Sequence, residues 1–366
     1  MLYLAGIIIT AFLVFILISK KNKSTADKIL ALWLFFTGFH LSLFYLHFND
    51  HYIKFPFLLG LELPLPLIQG PFLYLYTTAL TSPNQKRKYA FLHFIPFLIA
   101  FLVLIPFFSL PFEKRISIFK NGGKGYEDLI TILYASILLS GIVYAFLSLN
   151  KLSKHRKNIT DQFSFTEKIN LTWLRYLIFG LVIIWLVVIF SDDRYIFSVV
   201  VFYLFFIGYF GIKQVGIFTN QPLPVNNPPE KISIESEPTE NQLEKVKYEK
   251  SGLGADELQS IHQKLTAMMQ KEKQFKNPDL TLTELSQTLN VHPNILSQVI
   301  NSVEQKNFYD YINCHRVEEF KNLIQLPENQ KYTLLSLAFE CGFNSKTAFN
   351  RNFKKATGVS PSEYLK

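Results

Sequence analysis

The pattern of apolar and polar positions changes character near residue 218. Upstream, apolar runs of helical length follow one another with short polar breaks; downstream, apolar residues recur singly among charged and amide side chains. A helix needs about 20 mainly apolar residues to cross the hydrocarbon core of a bilayer. Seven stretches approach or exceed that length: 2–19, 29–48, 56–80, 89–110, 129–149, 171–190 and 195–218. The third carries Pro64, Pro66 and the Gly70-Pro71 pair, so a kink or break is expected there. The last two are parted only by Ser191-Asp192-Asp193-Arg194, which suits an antiparallel helical hairpin.

The pattern downstream predicts three further pieces. Residues 219–255 are rich in Pro, Asn, Glu and Ser with no apolar period, the composition of a flexible tether. A coil of about 35 residues has an r.m.s. reach of roughly 30–35 Å, so association or clustering is the expected route of any signal through it, not a rigid push. A connecting helix follows over 256–274, with Leu258, Ile261, Leu265 and Met268 on one face. That face either packs on the next domain or pairs two copies as a short coiled coil.

Residues 276–366 read as two short-helix, tight-turn, second-helix units. In the first, Thr281 and Glu284 have capping-box spacing. Leu282, Leu285 and Leu289 form an apolar face, Asn290 takes the turn, and Pro293 opens a second helix with Leu296, Val299 and Ile300 inward. In the second unit, Leu334, Leu337 and Ala338 face inward and Gly342 makes the turn. Phe343 packs beneath it, Asn344 is the expected cap, and Phe349 and Phe353 anchor the last helix. A helix over 308–324, with Ile312, Phe320, Leu323 and Ile324 inward, connects the two.

Charge adds direction. Basic residues collect on the cytoplasmic side of membrane spans. The breaks after spans one, three and five hold twelve (Lys20, Lys21, Lys23, Lys28, Lys86, Arg87, Lys88, Lys151, Lys154, Arg156, Lys157, Lys168), against six in the other breaks. The expected topology is an N-terminus outside and everything after residue 218 in the cytoplasm, on an inner, multi-pass membrane protein. No basic n-region or small-residue cleavage site marks 2–19 as a removable signal, so it is expected to stay in the bilayer. From 277 to 366 nine basic residues face nine acidic ones, with the positive charge gathered in 346–355.

The stretches "LTELSQTLNVHPNILSQVIN", "NCHRVEEFKNLI" and "LLSLAFECGFNSKTAFNRNFKKATGVSPSEYLK" resemble the DNA-binding domain of the AraC/XylS family of bacterial transcription regulators, over about a quarter of the chain. The resemblance implies an all-α double helix-turn-helix that reads successive major-groove segments of a double-stranded promoter site, with RNA polymerase as a partner. Carried onto matching positions, it implies a first reader of Asn294, Ser297 and Gln298. The second is Lys346, Thr347, Asn350 and Arg351, with Lys354 and Lys355 placed for phosphates. Ser286 stands where the family often has Ala, and His292 where a Ser-like cap is common. The overall plan is similar to membrane-anchored regulators of this family with a multi-span N-terminal region. The expected fold class is therefore all-α: a seven-span transmembrane bundle over 1–218, then the cytoplasmic reader.

For the membrane half, ionisable and polar residues inside spans are the signal candidates: Glu62, Gln69, His40 and His47. The signal ligand itself is not specified. Three alternatives stand beside sensing: an anchor without a sensing role, a light sensor using Lys213, and a membrane enzyme fused to a reader. No His-Glu-x-x-His, Gly-x-Ser-x-Gly, phosphate-loop or kinase motif is present. No catalytic residue, metal site or cofactor is expected. The only cysteines, Cys314 and Cys341, lack metal spacing and are expected as reduced thiols.

Overall fold

The computed structural model describes residues 1–83, 88–167, 169–213 and 255–365. These residues are helical apart from turns and one isolated antiparallel bridge, Phe163 with Thr281. The tether expected over 219–255 lies outside them, save Ala255, as do Lys86, Arg87 and Lys168. The chain divides into two compact units: Met1–Lys154 with Leu171–Val225, and His155–Asn170 with Asn226–Lys366.

In the first unit α1 (Leu2–Ser19) leads through Lys20 to α2 (Thr25–Phe48). α2 starts four residues earlier than its apolar pattern because Ser24 and Asp27 form a capping box. Asp27 also takes the ammonium of Lys20 at 2.8 Å, both side chains buried. The 56–80 stretch is broken, as its prolines predict. Pro56 and Pro66 sit in short 3-10 turns, and a regular helix, α3 (Gln69–Thr81), begins only after them. The 89–110 stretch differs from the expected single span. It consists of a 3-10 turn, α4 (Ile95–Val103) and α5 (Ile105–Phe108). Pro106 lacks an N–H and its ring clashes with the preceding helical turn, so the helix cannot run on. After α6 (Phe112–Lys120) come α7 (Glu127–Gln162), α8 (Thr172–Phe190) and α9 (Asp193–Lys213).

Five helices among the described residues, α1, α2, α7, α8 and α9, are long and apolar enough to cross a membrane, where seven spans were expected. Glycines let them pack closely. A Cβ on Gly141 would stand 2.5 Å from the Trp185 ring, and one on Gly6 2.6 Å from Leu41. Small residues of this kind let helix backbones approach closely. α7 also runs 13 residues past the expected end at 149. Lys151, Lys154, Arg156 and Lys157 therefore lie on a helix rather than in a loop. Its continuation is amphipathic, with Leu152 and Ile159 buried.

The second unit takes the end of α7 and the turn after it, then α10 (Ala255–Lys271), α11 (Leu282–Thr288), α12 (Pro293–Val303), α13 (Phe308–Ile324), α14 (Leu334–Glu340) and α15 (Lys346–Thr357). Two apolar clusters share α13. Phe308, Tyr311 and Ile312 join α10 to α12, while Val317 and Phe320 join α14 and α15. α10 buries Ile261, Leu265 and Met269, and Met268 packs partly buried against the same cluster. Leu265 and Met269 lie in the first of these clusters, so α10 packs on its own domain.

A candidate nucleic-acid interface and a cavity in the first unit

The first helix-turn-helix forms from local instructions. The Thr281 hydroxyl accepts from Glu284 N (3.2 Å) and the Glu284 carboxylate from Thr281 N (2.9 Å), the reciprocal capping box that starts α11. Ser286 is fully buried where Ala is usual, and its hydroxyl donates to Thr283 O at 2.8 Å, so no polar group is orphaned. Asn290 has φ +54°, the left-handed conformation the turn requires. His292 does the work of a Ser cap: its Nδ1 accepts from Asn294 N at 3.2 Å. Pro293 fills the first turn, and Leu296, Val299 and Ile300 are buried. Asn294 is exposed, whereas Ser297 and Gln298 are half-buried. The Ser297 hydroxyl accepts from Asn301.

The second unit repeats the plan with stricter turn geometry. Thr333 caps α14, accepting from Ser336 N at 3.1 Å. Gly342 has φ +94°, a conformation that excludes most side chains. The cap of α15 is Ser345, whose hydroxyl accepts from Ala348 N at 3.0 Å; Asn344, the expected cap, lies one residue too early. Phe349 and Phe353 pack on Phe320 with ring centroids 4.6 and 5.5 Å apart. That anchorage turns Lys346, Thr347, Asn350, Arg351, Lys354 and Lys355 outward, and all six are exposed. The structure thus places the expected second reader on one solvent face, with amide, hydroxyl and cationic donors along it.

Two of these cations are already engaged. Lys355 pairs with Asp310 at 2.7 Å. Arg351 donates to Glu167 at 2.9 Å, to the Thr166 hydroxyl at 3.3 Å and to the Tyr309 hydroxyl at 2.5 Å. Burial alone would lower the Arg351 guanidinium, but Tyr309 and Glu167 outweigh it and hold the group above its ordinary value. Lys346 and Lys354 make no ion pair among the described residues.

Arg316 is the residue that reading the pattern missed. It is buried at 1 % exposure on α13, and its guanidinium donates five hydrogen bonds. They reach Phe275 O (2.8 Å), Asn277 O (2.7 Å), Asn313 Oδ1 (3.2 Å), Ser164 O (3.2 Å) and Ser164 Oγ (3.1 Å). Burial lowers it to about 10, so it stays cationic at neutral pH. A signal existed: Ile312, Arg316 and Phe320 are spaced by four on one helix face, and both flanking residues are fully buried.

In the first unit Glu62, Gln69 and His40 line one cavity of about 130 Å³, together with Trp33, Tyr134 and Asp193. Trp33 Nε1 donates to Gln69 Oε1 at 2.6 Å. Glu62 accepts from Gly60 N at 2.9 Å. His40 is held edge-on by Phe44 and Phe197. His47 does not line this cavity; its ring stands 3.9 Å from the Glu62 carboxylate and packs on Phe119. No group of three or more His, Cys, Asp or Glu placed to hold a metal occurs among the described residues. The side chain of Lys213 lies outside them.

A family of helix-turn-helix domains matches residues 285–366, and the C-terminal domain is an AraC-type helix-turn-helix domain. Two similar proteins bear on it. One, the "Uncharacterized HTH-type transcriptional regulator YijO" of Escherichia coli (strain K12), is 33% identical over 85 residues, 23% of this chain and 29% of that protein. The other, the "Transcriptional activator RhrA" of Rhizobium meliloti (strain 1021), is 28% identical over 95 residues, 26% of this chain and 30% of that protein. The chain thus spans under a third of either relative. No solved structure matches it significantly.

Proposed function

We propose that this protein is a membrane-anchored, sequence-specific DNA-binding regulator of transcription. The observation that carries the reading is the exposed face of α15. Lys346, Thr347, Asn350 and Arg351 stand outward on a helix pinned by Phe349 and Phe353, in a domain of AraC type. Asn294, Ser297 and Gln298 on α12 form the first reader. Arg and Asn side chains of this reach recognise guanine and adenine edges in the major groove, and Lys354 and Lys355 neutralise phosphates. The relatives named for transcriptional regulation and activation support this assignment.

The five apolar helices support a membrane anchor, with the reader in the cytoplasm beside promoter DNA and RNA polymerase. The N-terminal unit senses a cue through the cavity lined by Glu62, Gln69 and His40. A cavity of this kind in an apolar bundle takes a small, mainly apolar molecule with one hydrogen-bonding head, which meets Gln69 or Glu62. The test joins both halves. Chromatin occupancy and transcripts are compared between cells with the full-length protein, its Arg351→Ala variant, its Glu62→Gln variant and a deletion. Loss of occupancy in Arg351→Ala with altered response in Glu62→Gln is expected. Wild-type occupancy in Arg351→Ala refutes the reader, and an unchanged response in Glu62→Gln removes Glu62 from sensing.

A further inference from the structure

The second unit contains a segment remote in sequence from the rest of it, the turn between α7 and α8. Ser164 is buried at 1 % exposure and is gripped on every polar atom. Its N–H donates to Leu280 O (3.2 Å). Its carbonyl accepts from Asn313 (3.0 Å) and Arg316 (3.2 Å), and its hydroxyl from Arg316 (3.1 Å). Phe163 bridges Thr281 in the antiparallel sense, which lays the segment along the residues that start α11. Two residues on, Thr166 is buried and Glu167 closes on Arg351 at 2.9 Å. Within α7, the His155 ring stands with Nε2 3.4 Å from the Ile169 carbonyl oxygen beyond the turn.

This is a fitted slot with an occupant. α13 supplies Asn313 and Arg316, the approach to α11 supplies the Leu280 carbonyl, and the carbonyls of Phe275 and Asn277 hold the Arg316 guanidinium in place. The far end places a carboxylate on the one arginine of the reader helix. A carboxylate there takes the guanidinium that a guanine edge needs and sets a negative charge where phosphates would approach.

We propose that residues 163–167 act as a strap on the reader, docked through Ser164 and competing with DNA for Arg351 through Glu167. The competition rests on the assignment of α15 as a DNA reader; the docking does not. Because the strap belongs to the connection between α7 and α8, the chain reaches the reader by a second covalent route besides the stretch after α9. Movement of α7 relative to α8 would then alter the reader's access to DNA. In that scheme dimerisation through α10 is not required.

The test uses the full-length protein in lipid nanodiscs and a random-sequence DNA duplex at low salt. Hydrogen exchange over 163–167 is measured without and with the duplex, and duplex affinity is compared between wild type and Glu167→Gln. Glu167→Gln is isosteric and spares the Ser164 contacts, so the fold is retained. Slow exchange at the Ser164 amide without DNA, faster exchange with DNA, and a twofold to fivefold rise in affinity, the rough scale of a part-exposed ion pair, are expected. Fast exchange without DNA refutes the docking. Bound DNA with undiminished protection, or equal affinity in both proteins, refutes the competition. If neither protein binds the duplex, the reader assignment fails and the competition with it, while protection without DNA still decides the docking.

Discussion

Gly342 and Phe275 meet across the C-terminal unit. A Cβ on Gly342 would stand 2.6 Å from the Phe275 carbonyl oxygen and 2.8 Å from that of Lys276. The same Phe275 oxygen accepts from Arg316 Nε at 2.8 Å. The turn of the second helix-turn-helix is therefore pressed onto the backbone that leads into the first, with Arg316 filling the space beside it.

The contact makes Gly342→Ala doubly costly. The positive φ costs about 1–2 kcal/mol for an L-residue, and the Phe275 oxygen cannot yield without straining its hydrogen bond from Arg316. Gly358, with φ +83° and nothing within 4 Å of its would-be Cβ, is the matched control. Gly358→Ala is expected to lose only the conformational part. Hydrogen exchange on α13 of the full-length protein reads both, and equal losses would refute the contact as the cause.

The reader assignment separates base contacts from phosphate contacts. Arg351→Ala is expected to lose about 1–3 kcal/mol of specific binding and to relax the preference at one base position. Lys354→Ala is expected to weaken all duplexes alike and to shallow the slope of log affinity against log salt by about 0.9. Titrations of a selected site at several salt concentrations distinguish the two. The domain carries no net excess of basic residues over 277–366, so non-specific binding should be modest throughout.

What the sequence made legible follows the range of the interactions. The capping box at Thr281 and Glu284, the left-handed Asn290 and the turn at Gly342 are each set within about five residues, and each appears where the pattern places it. The breaks near Pro66 and Pro106 are equally local, although only the first was anticipated. The cap of α15 falls on Ser345 rather than Asn344 because two adjacent residues offered the same chemistry. By contrast, Arg316 to Ser164 spans 152 residues. No periodicity reports such a pairing. The apolar pattern ends at 149, although the helix of α7 continues to Gln162.

Acid should loosen the C-terminal unit through Glu319. Burial alone would raise this carboxyl, but hydrogen bonds from Lys273 and Lys276, at 2.8 and 2.9 Å, outweigh it and hold the group below its ordinary 4.5. A depressed folded value means that the unfolded chain binds the proton more readily. The stabilisation is therefore complete above about 4.5 and is lost as pH falls through the lower, folded value. Glu319→Gln is expected to be less stable at neutral pH and to show a flatter decline in acid. Parallel declines in the two proteins would assign the acid sensitivity elsewhere, with Glu304, similarly lowered against its own burial by His262 and Lys306, the first alternative.

The two cysteines should differ in reactivity although both are free thiols. Cys341 ends α14 fully buried, and burial pushes its thiol up to about 12. The thiolate is the reactive form, so Cys341 is both shielded and almost wholly protonated at neutral pH. Cys314 on α13 is half-buried. In native protein a maleimide should label Cys314 first, with Cys341 labelled only as the second apolar cluster opens. Peptide mapping by mass spectrometry over a labelling time course measures this. Gly342→Ala supplies the internal check: the residue next to Cys341 loses its turn, so Cys341 labelling should accelerate. Unchanged Cys341 labelling in that variant would mean that the turn at Gly342 does not hold the cluster closed.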